Sequence, residues 1–205
     1  MHPRTHRKSL LRVSLLFLFL LAVLSEGRAA RAQADPTASR TAAFSAFAGY
    51  TNSNSDYGRY RNTGATAGVD YTRYFGWRVA PSLEIRANDT TGPNIKQESI
   101  LFGVRVQTDF RRFHPYADAL FGGTKIFFAV PPTPHYTQDI ASTTSIGGGI
   151  DVDVVRGFQV KFDYQGEFMN FGPNGTQPGN GNFTLAPTLL TVGVAYHIPF
   201  GARHR

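Results

Sequence analysis

Eleven charged side chains fall on the polar rows of alternating segments in this chain: Arg78, Glu84, Arg86, Arg105, Asp109, Asp118, Asp151, Asp153, Lys161, Asp163 and Glu167. Glu84 and Arg86 are two apart, as are Asp151 and Asp153, and Lys161 and Asp163. A spacing of two puts side chains on one face of a strand. If that face is enclosed, ionised groups there must pair or stay wet. Arg78, Glu84, Arg86, Arg105, Asp109, Asp118, Asp151, Lys161 and Asp163 are therefore expected to form a mutually neutralising network, not a substrate pocket. Hydrolytic chemistry would need a histidine with a nucleophile beside it. His135 lies in a proline-rich segment without a serine at suitable spacing, and His197, expected to face inward near the chain ends, is expected to have no nucleophile beside it. His114 and the tail residue His204 offer nothing more definite. No catalytic residue, metal site or cofactor is expected. The chain has no cysteine, which removes disulfides and thiolate metal sites.

The elements that must position these charges read as strands. The plainest is Leu189–Phe200, where Leu190, Val192, Val194, Tyr196, Ile198 and Phe200 alternate with Leu189, Thr191, Gly193, Ala195, His197 and Pro199. Seven earlier segments repeat the pattern: Ala42–Asn52, Thr63–Tyr74, Trp77–Ala87, Gln97–Asp109, His114–Phe128, Thr143–Val154 and Phe158–Phe168. In the first, Phe44 and Phe47 fall on opposite faces, so its register is ambiguous. In the fifth, Asp118 is expected to share a face with Tyr116 and Leu120. Bulges are expected at Pro81 and at Gly122-Gly123. Polar loops at Ser53–Arg61, Asn88–Asn94, Val130–Tyr136 and Asn170–Gly181 alternate with short turns, so long and short connections alternate throughout.

Export is written at the N-terminus. Arg4, Arg7 and Lys8 precede the apolar run Val13–Leu24, and Ala32-Gln33-Ala34 supplies small residues for cleavage. Twelve apolar residues fall short of the ~20 that span a bilayer as a helix. Residues 1–34 are thus expected to be a cleaved signal peptide, and residues 35–205 a single domain. The leader holds six Lys/Arg against one acid, Glu26, so the formal net charge of +7 falls to +2 without it. A nucleic-acid partner loses its main support.

An even number of strands of ~10 residues, with short turns on the side of the chain ends, is the pattern of an outer-membrane barrel. The expected fold is all-β: an eight-stranded antiparallel up-and-down transmembrane β-barrel. A soluble barrel would also show alternation. Charge mixed with Gly68, Gly103, Gly147, Gly149 and Gly193 on the polar rows favours a crowded concave interior over a solvated face. Aromatics near strand ends (Tyr71, Trp77, Phe110, Phe158, Tyr196, Phe200) suit interfacial girdles.

The chain resembles the small outer-membrane β-barrel proteins of the OmpA-transmembrane-domain and OmpX type. The residues that carry this are the signal ending Ala32-Gln33-Ala34, the glycine-rich strand Gly147–Asp151, and the closing strand ending Tyr196-His197-Ile198-Pro199-Phe200. The resemblance implies a monomer in the bacterial outer membrane, with lipid and the barrel-assembly machinery as partners. Tyr196, Ile198 and Phe200 look like the signal that machinery reads, although Gly201–Arg205 extend past it. It also implies a structural or porin-like role and a lumenal network that could gate a narrow ion path. The loops themselves carry Tyr57, Tyr60, Tyr136 and Phe171, expected to be exposed and able to meet a ligand. A lipid-modifying enzyme with a His/Ser pair and a loop-mediated adhesin are the alternatives.

Overall fold

The computed structural model describes residues 40–75, 77–131, 136–171 and 183–202. The leader 1–34, His135, the segment 172–182 and the tail residues 203–205 lie outside them. Among the described residues there are nine strands: β1 (Arg40–Asn54), β2 (Arg61–Arg73), β3 (Val79–Thr91), β4 (Ile95–Thr108), β5 (Phe113–Phe128), β6 (Gln138–Val155), β7 (Phe158–Phe171), β8 (Phe183–Leu185) and β9 (Thr188–Ala202). Consecutive strands from β1 to β7 pair antiparallel, β7 pairs with β9, and β9 returns to β1 from Arg40↔Ala202 to Asn54↔Thr188. Eight strands thus close into a barrel that leaves no sheet edge unpaired. The three-residue β8 adds a flap against Met169–Phe171 of β7.

Closure settles the register of β1. Phe44 faces outward, and Phe47 is buried inside. Two expected irregularities do not occur. The β4–β5 and β5–β6 ladders run through Gly122 and Gly123 without a shift. The β3–β4 ladder is unbroken at Pro81, which lies one position past the last β2–β3 pair, Thr72↔Ser82. The bulge falls instead between Asp153 and Val155, where β6 enters the two-residue turn Arg156-Gly157. Gly157 takes a φ of +79° there, a conformation that favours glycine.

The alternation of long and short connections also needs correcting. Asn88–Thr91 were expected in a loop but continue β3, with Asn88 and Thr90 inward and Asp89 and Thr91 outward. Only Gly92–Asn94 connect β3 to β4. Both faces of the strand turn polar at this height, which erases the contrast that marks a half-lipid strand.

The inside is layered. At the loop end, inward side chains of β4–β7 (Ile95, Ile126, Phe128, Ala141, Met169, Phe171) pack with Leu185 and Tyr136 into an apolar cap, so Tyr136 and Phe171, expected as exposed loop aromatics, are buried instead. Tyr57 packs against this cap, 5.2 Å from the Phe128 ring, and donates from Oη to the Val130 carbonyl at 2.6 Å. A smaller group, Ala43, Tyr74 and Ala80, closes the turn end. Between them lie the charges.

Candidate functional site

Within the barrel, Arg86 on β3 is held from three strands. Its Nε donates to Glu84 Oε1 at 2.8 Å, Nη1 to Asp163 Oδ1 at 2.8 Å, and Nη2 to Asp118 Oδ2 at 3.4 Å. A further Nη2 bond to Asp163 Oδ2 at 3.2 Å makes the Arg86–Asp163 contact a two-pronged fork. Arg105 on β4 donates to Asp151 Oδ2 and to Gln107 Oε1. Arg105 Nη1 stands 3.7 Å from Glu84 and 3.8 Å from Asp70, close enough for attraction but too far for a hydrogen bond. Lys161 donates to Asp151 at 3.4 Å.

Two aromatic rings order these cations. Arg105 lies over the Tyr116 ring at 3.7 Å, and Lys161 lies 4.1 Å from Tyr116 and 4.6 Å from Phe47. Tyr116 Oη also donates to Asp163 at 2.5 Å. The rings need room, and glycine supplies it. A Cβ on Gly149 would meet Tyr116 Oη at 2.6 Å, and one on Gly68 would meet Phe47 Cζ at 2.4 Å.

The expected set is thus largely brought together. Glu84, Arg86, Arg105, Asp118, Asp151, Lys161 and Asp163 converge; Arg78 and Asp109 do not. Arg78 precedes β3 and is exposed, so the inward parity of that strand does not extend to it. Asp109 lies just past β4 and binds His114 instead, Oδ1 to Nδ1 at 2.8 Å. His114 Nε2 reaches Asp153 Oδ2 at 3.1 Å, and Gln159 Nε2 donates to Asp153 Oδ1 at 2.8 Å. This second cluster sits at the turn end. Sequence reasoning left Asp70, Phe47 and Tyr116 out of the set. Asp70 was visible, since it alternates inward with Thr66 and Thr72; Phe47 was hidden by its ambiguous register.

One expectation fails outright. His197 does have a hydroxyl beside it: Ser45, its cross-strand partner in the β1–β9 seam, has Oγ 3.0 Å from Nδ1. The two residues are 152 positions apart, so only closure of the barrel reveals the pair.

Glu167 forms a third feature. It is buried, accepting from Gln97 Nε2 at 2.7 Å and Asn88 Nδ2 at 3.1 Å. Above the barrel, in the loop between β5 and β6, burial raises the Tyr136 phenol pKa above its ordinary value, and the bond to Asp139 adds to this.

The decisive observation is the inversion of the two faces. Arg86 and Lys161 are 1% exposed, whereas Ile100 is 68% and Phe102 61% exposed. Water on the outside would make that arrangement untenable; hydrocarbon makes it the stable one. The outer-membrane protein beta-barrel domain matches residues 15–197. The chain belongs to that family. It is a bacterial outer-membrane barrel. No curated protein matches it. Among solved structures it is similar to Neisserial surface protein A, with 12% identity and a TM-score of 0.49 over 76% of this chain and 96% of that one. It is also similar to Ail, the attachment invasion locus protein of Yersinia pestis, with 12% identity and a TM-score of 0.44 over 78% and 99%. A third is the N-terminal barrel of Pseudomonas aeruginosa OprF, with 14% identity and a TM-score of 0.44 over 78% and 99%. Tyr196 and Ile198, expected as an assembly signal with Phe200, face outward on β9. The side chain of Phe200 lies outside the described residues.

Proposed function

We propose that this protein is a non-conducting structural barrel whose charged lumen is a plug and whose external loops are its contact surface. The observation that carries the reading is the filling of the mid-lumen. Arg86, Arg105 and Lys161 project from three strands into one cluster with Asp70, Glu84, Asp118, Asp151 and Asp163, and all eight side chains are at most 5% exposed. The apolar cap above adds a second obstruction. A porin-like path would have to pass both.

Glu84 Oε2, Asp118 Oδ1 and two nitrogens of Arg105 make no hydrogen bond. This incomplete pairing favours the second reading, a network able to rearrange and pass small ions. Planar-bilayer recordings of the wild type, Arg105→Ala and Glu84→Ala separate the two. A sealed barrel gives near-zero conductance in the wild type and openings in the variants; steady wild-type conductance would overturn it.

The Ser45–His197 contact is the one feature that favours an enzyme. Ser45 is 6% exposed and faces the lumen, away from the lipid a deacylase would act on. We therefore assign the pair to holding the seam. Incubation of the folded protein with lipid A is expected to leave its acylation unchanged, and any change in acyl number would reverse that assignment. Removal of residues 1–34 on export belongs to the same proposal; N-terminal sequencing of the outer-membrane form is expected to begin at Asp35.

A further inference from the structure

At the turn end of the barrel, five arginines with described side chains are not used by the lumenal account. Arg73 ends β2, Arg78 precedes β3, Arg111 and Arg112 form the β4–β5 turn, and Arg156 lies in the β6–β7 turn. All five are exposed, and among the described residues none is bridged to a carboxylate. Among the described residues, the acids at this end, Asp109 and Asp153, are both taken by His114. The loop end is different: Lys96 is bridged to Asp89 and Glu98, and Arg59, Arg61 and Lys125 are interspersed with Asp56 and Asp139, so both signs of charge are present there.

Aromatic side chains fix the depth of these arginines. Trp77 is 74% and Phe110 69% exposed, and each flanks an arginine in sequence. Phe75 packs against Trp77 at 5.3 Å, and Phe158 against Tyr196 at 4.8 Å. Exposed aromatics at strand ends mark the bilayer interface, where the headgroups begin. Short turns belong to the periplasmic side, so this rim meets the phospholipid leaflet. A guanidinium at that depth presents a planar fork matched to two phosphate oxygens.

We propose that this rim is a binding surface for anionic phospholipid of the phosphatidylglycerol type in the inner leaflet of the outer membrane. Arg78, Arg111 and Arg112 take the phosphates, and Trp77 and Phe110 lie against the glycerol backbone. Arg111 supports a side-chain role of this kind. It holds a φ of +61°, where glycine or asparagine fits more easily, and its guanidinium makes no ion pair among the described residues.

Trp77 is the only tryptophan in the sequence, so its fluorescence reports on this rim alone. The full folded protein is reconstituted in vesicles of unlabelled phosphatidylcholine with brominated phosphatidylglycerol, or with brominated phosphatidylcholine at the same fraction. Quenching of Trp77 yields the relative affinity of the two lipids. The proposal expects phosphatidylglycerol to be favoured by roughly fivefold for each arginine engaged at low salt, with the preference shrinking as salt rises. In Arg78→Gln/Arg111→Gln/Arg112→Gln, with folding checked by heat-modifiable migration, the two lipids are expected to quench alike. Arg78→Gln alone, at the residue beside the probe, gives a partial loss if the triple variant does not fold. Equal quenching by both lipids in the wild type would overturn the proposal. So would a preference that survives in these variants.

Discussion

Arg86 is the side chain on which most of the lumen depends. It faces Glu84, Asp118 and Asp163 at once, with the Phe47 ring 5.6 Å away. Arg86→Ala removes the cation hydrogen-bonded to three carboxyls, and breaking a buried pair from one side costs about 3–5 kcal/mol. Urea unfolding of the folded barrel in detergent, followed through Trp77, is expected to show a loss of that size. Glu167 should behave in the opposite way. It makes no ion pair among the described residues, and it accepts side-chain hydrogen bonds from Asn88 and Gln97. Glu167→Gln removes the charge, and Asn88 Oδ1, which is unpaired, can accept from the new amide if the Asn88 amide turns over. That variant is expected to unfold within about 1 kcal/mol of the wild type, while Glu167→Ala strands both amides and costs about 1–3 kcal/mol.

How much of the site was legible follows from the range over which parity holds. Alternation placed Glu84, Arg86, Arg105, Asp151, Lys161 and Asp163 inward because each lies well inside its strand. It failed at Arg78 and Asp109 because both fall one residue outside the ladder, where the backbone no longer fixes the direction of a side chain. Ser45 beside His197 was not readable. An up-and-down barrel must close its last strand on its first, but nothing local to either residue sets the register that puts Ser45 opposite His197.

At the scale of the element, each strand has two faces that meet different solvents, and at Gly68 and Gly149 the inner face leaves room for the rings of Phe47 and Tyr116. Gly149 on β6 is the sharpest instance, since a methyl there would also lie 2.1 Å from the Phe162 carbonyl oxygen. Gly149→Ala must displace Tyr116, and overpacking of this kind costs about 1–3 kcal/mol. Denaturant titration is expected to show the loss, and Gly166→Ala on β7, whose Cβ would meet nothing nearer than 3.7 Å, is expected to be nearly silent. Strand boundaries were less legible than strand faces. β3 and β6 run past their expected ends because Asn88–Thr91 and Gln138–Ser142 are largely polar on both faces, like loops. The apolar cap has the same origin. Ile95, Ile126 and Met169 continue inward rows that are polar lower down, so a strand-by-strand reading of polarity reverses sign near the loop end.

For the whole molecule, the account joins a barrel closed by β1 and β9, a mid-lumen filled by ion pairs, and an apolar cap beneath the loops. Cap, network and turn-end cluster lie in series along one axis, so a solute entering from the loops would meet all three. Because the sequence contains no cysteine, a single introduced thiol reports unambiguously on access. Asp153→Cys is well placed for this, with the native side chain 44% exposed at the turn end. The most direct measurement is the rate at which a charged, membrane-impermeant thiol reagent modifies Asp153→Cys when added to either side of a planar bilayer holding the oriented protein. A sealed lumen predicts fast modification from the turn side and none above background from the loop side. Comparable rates from both sides would mean that water and ions pass through the barrel, and would contradict the plug.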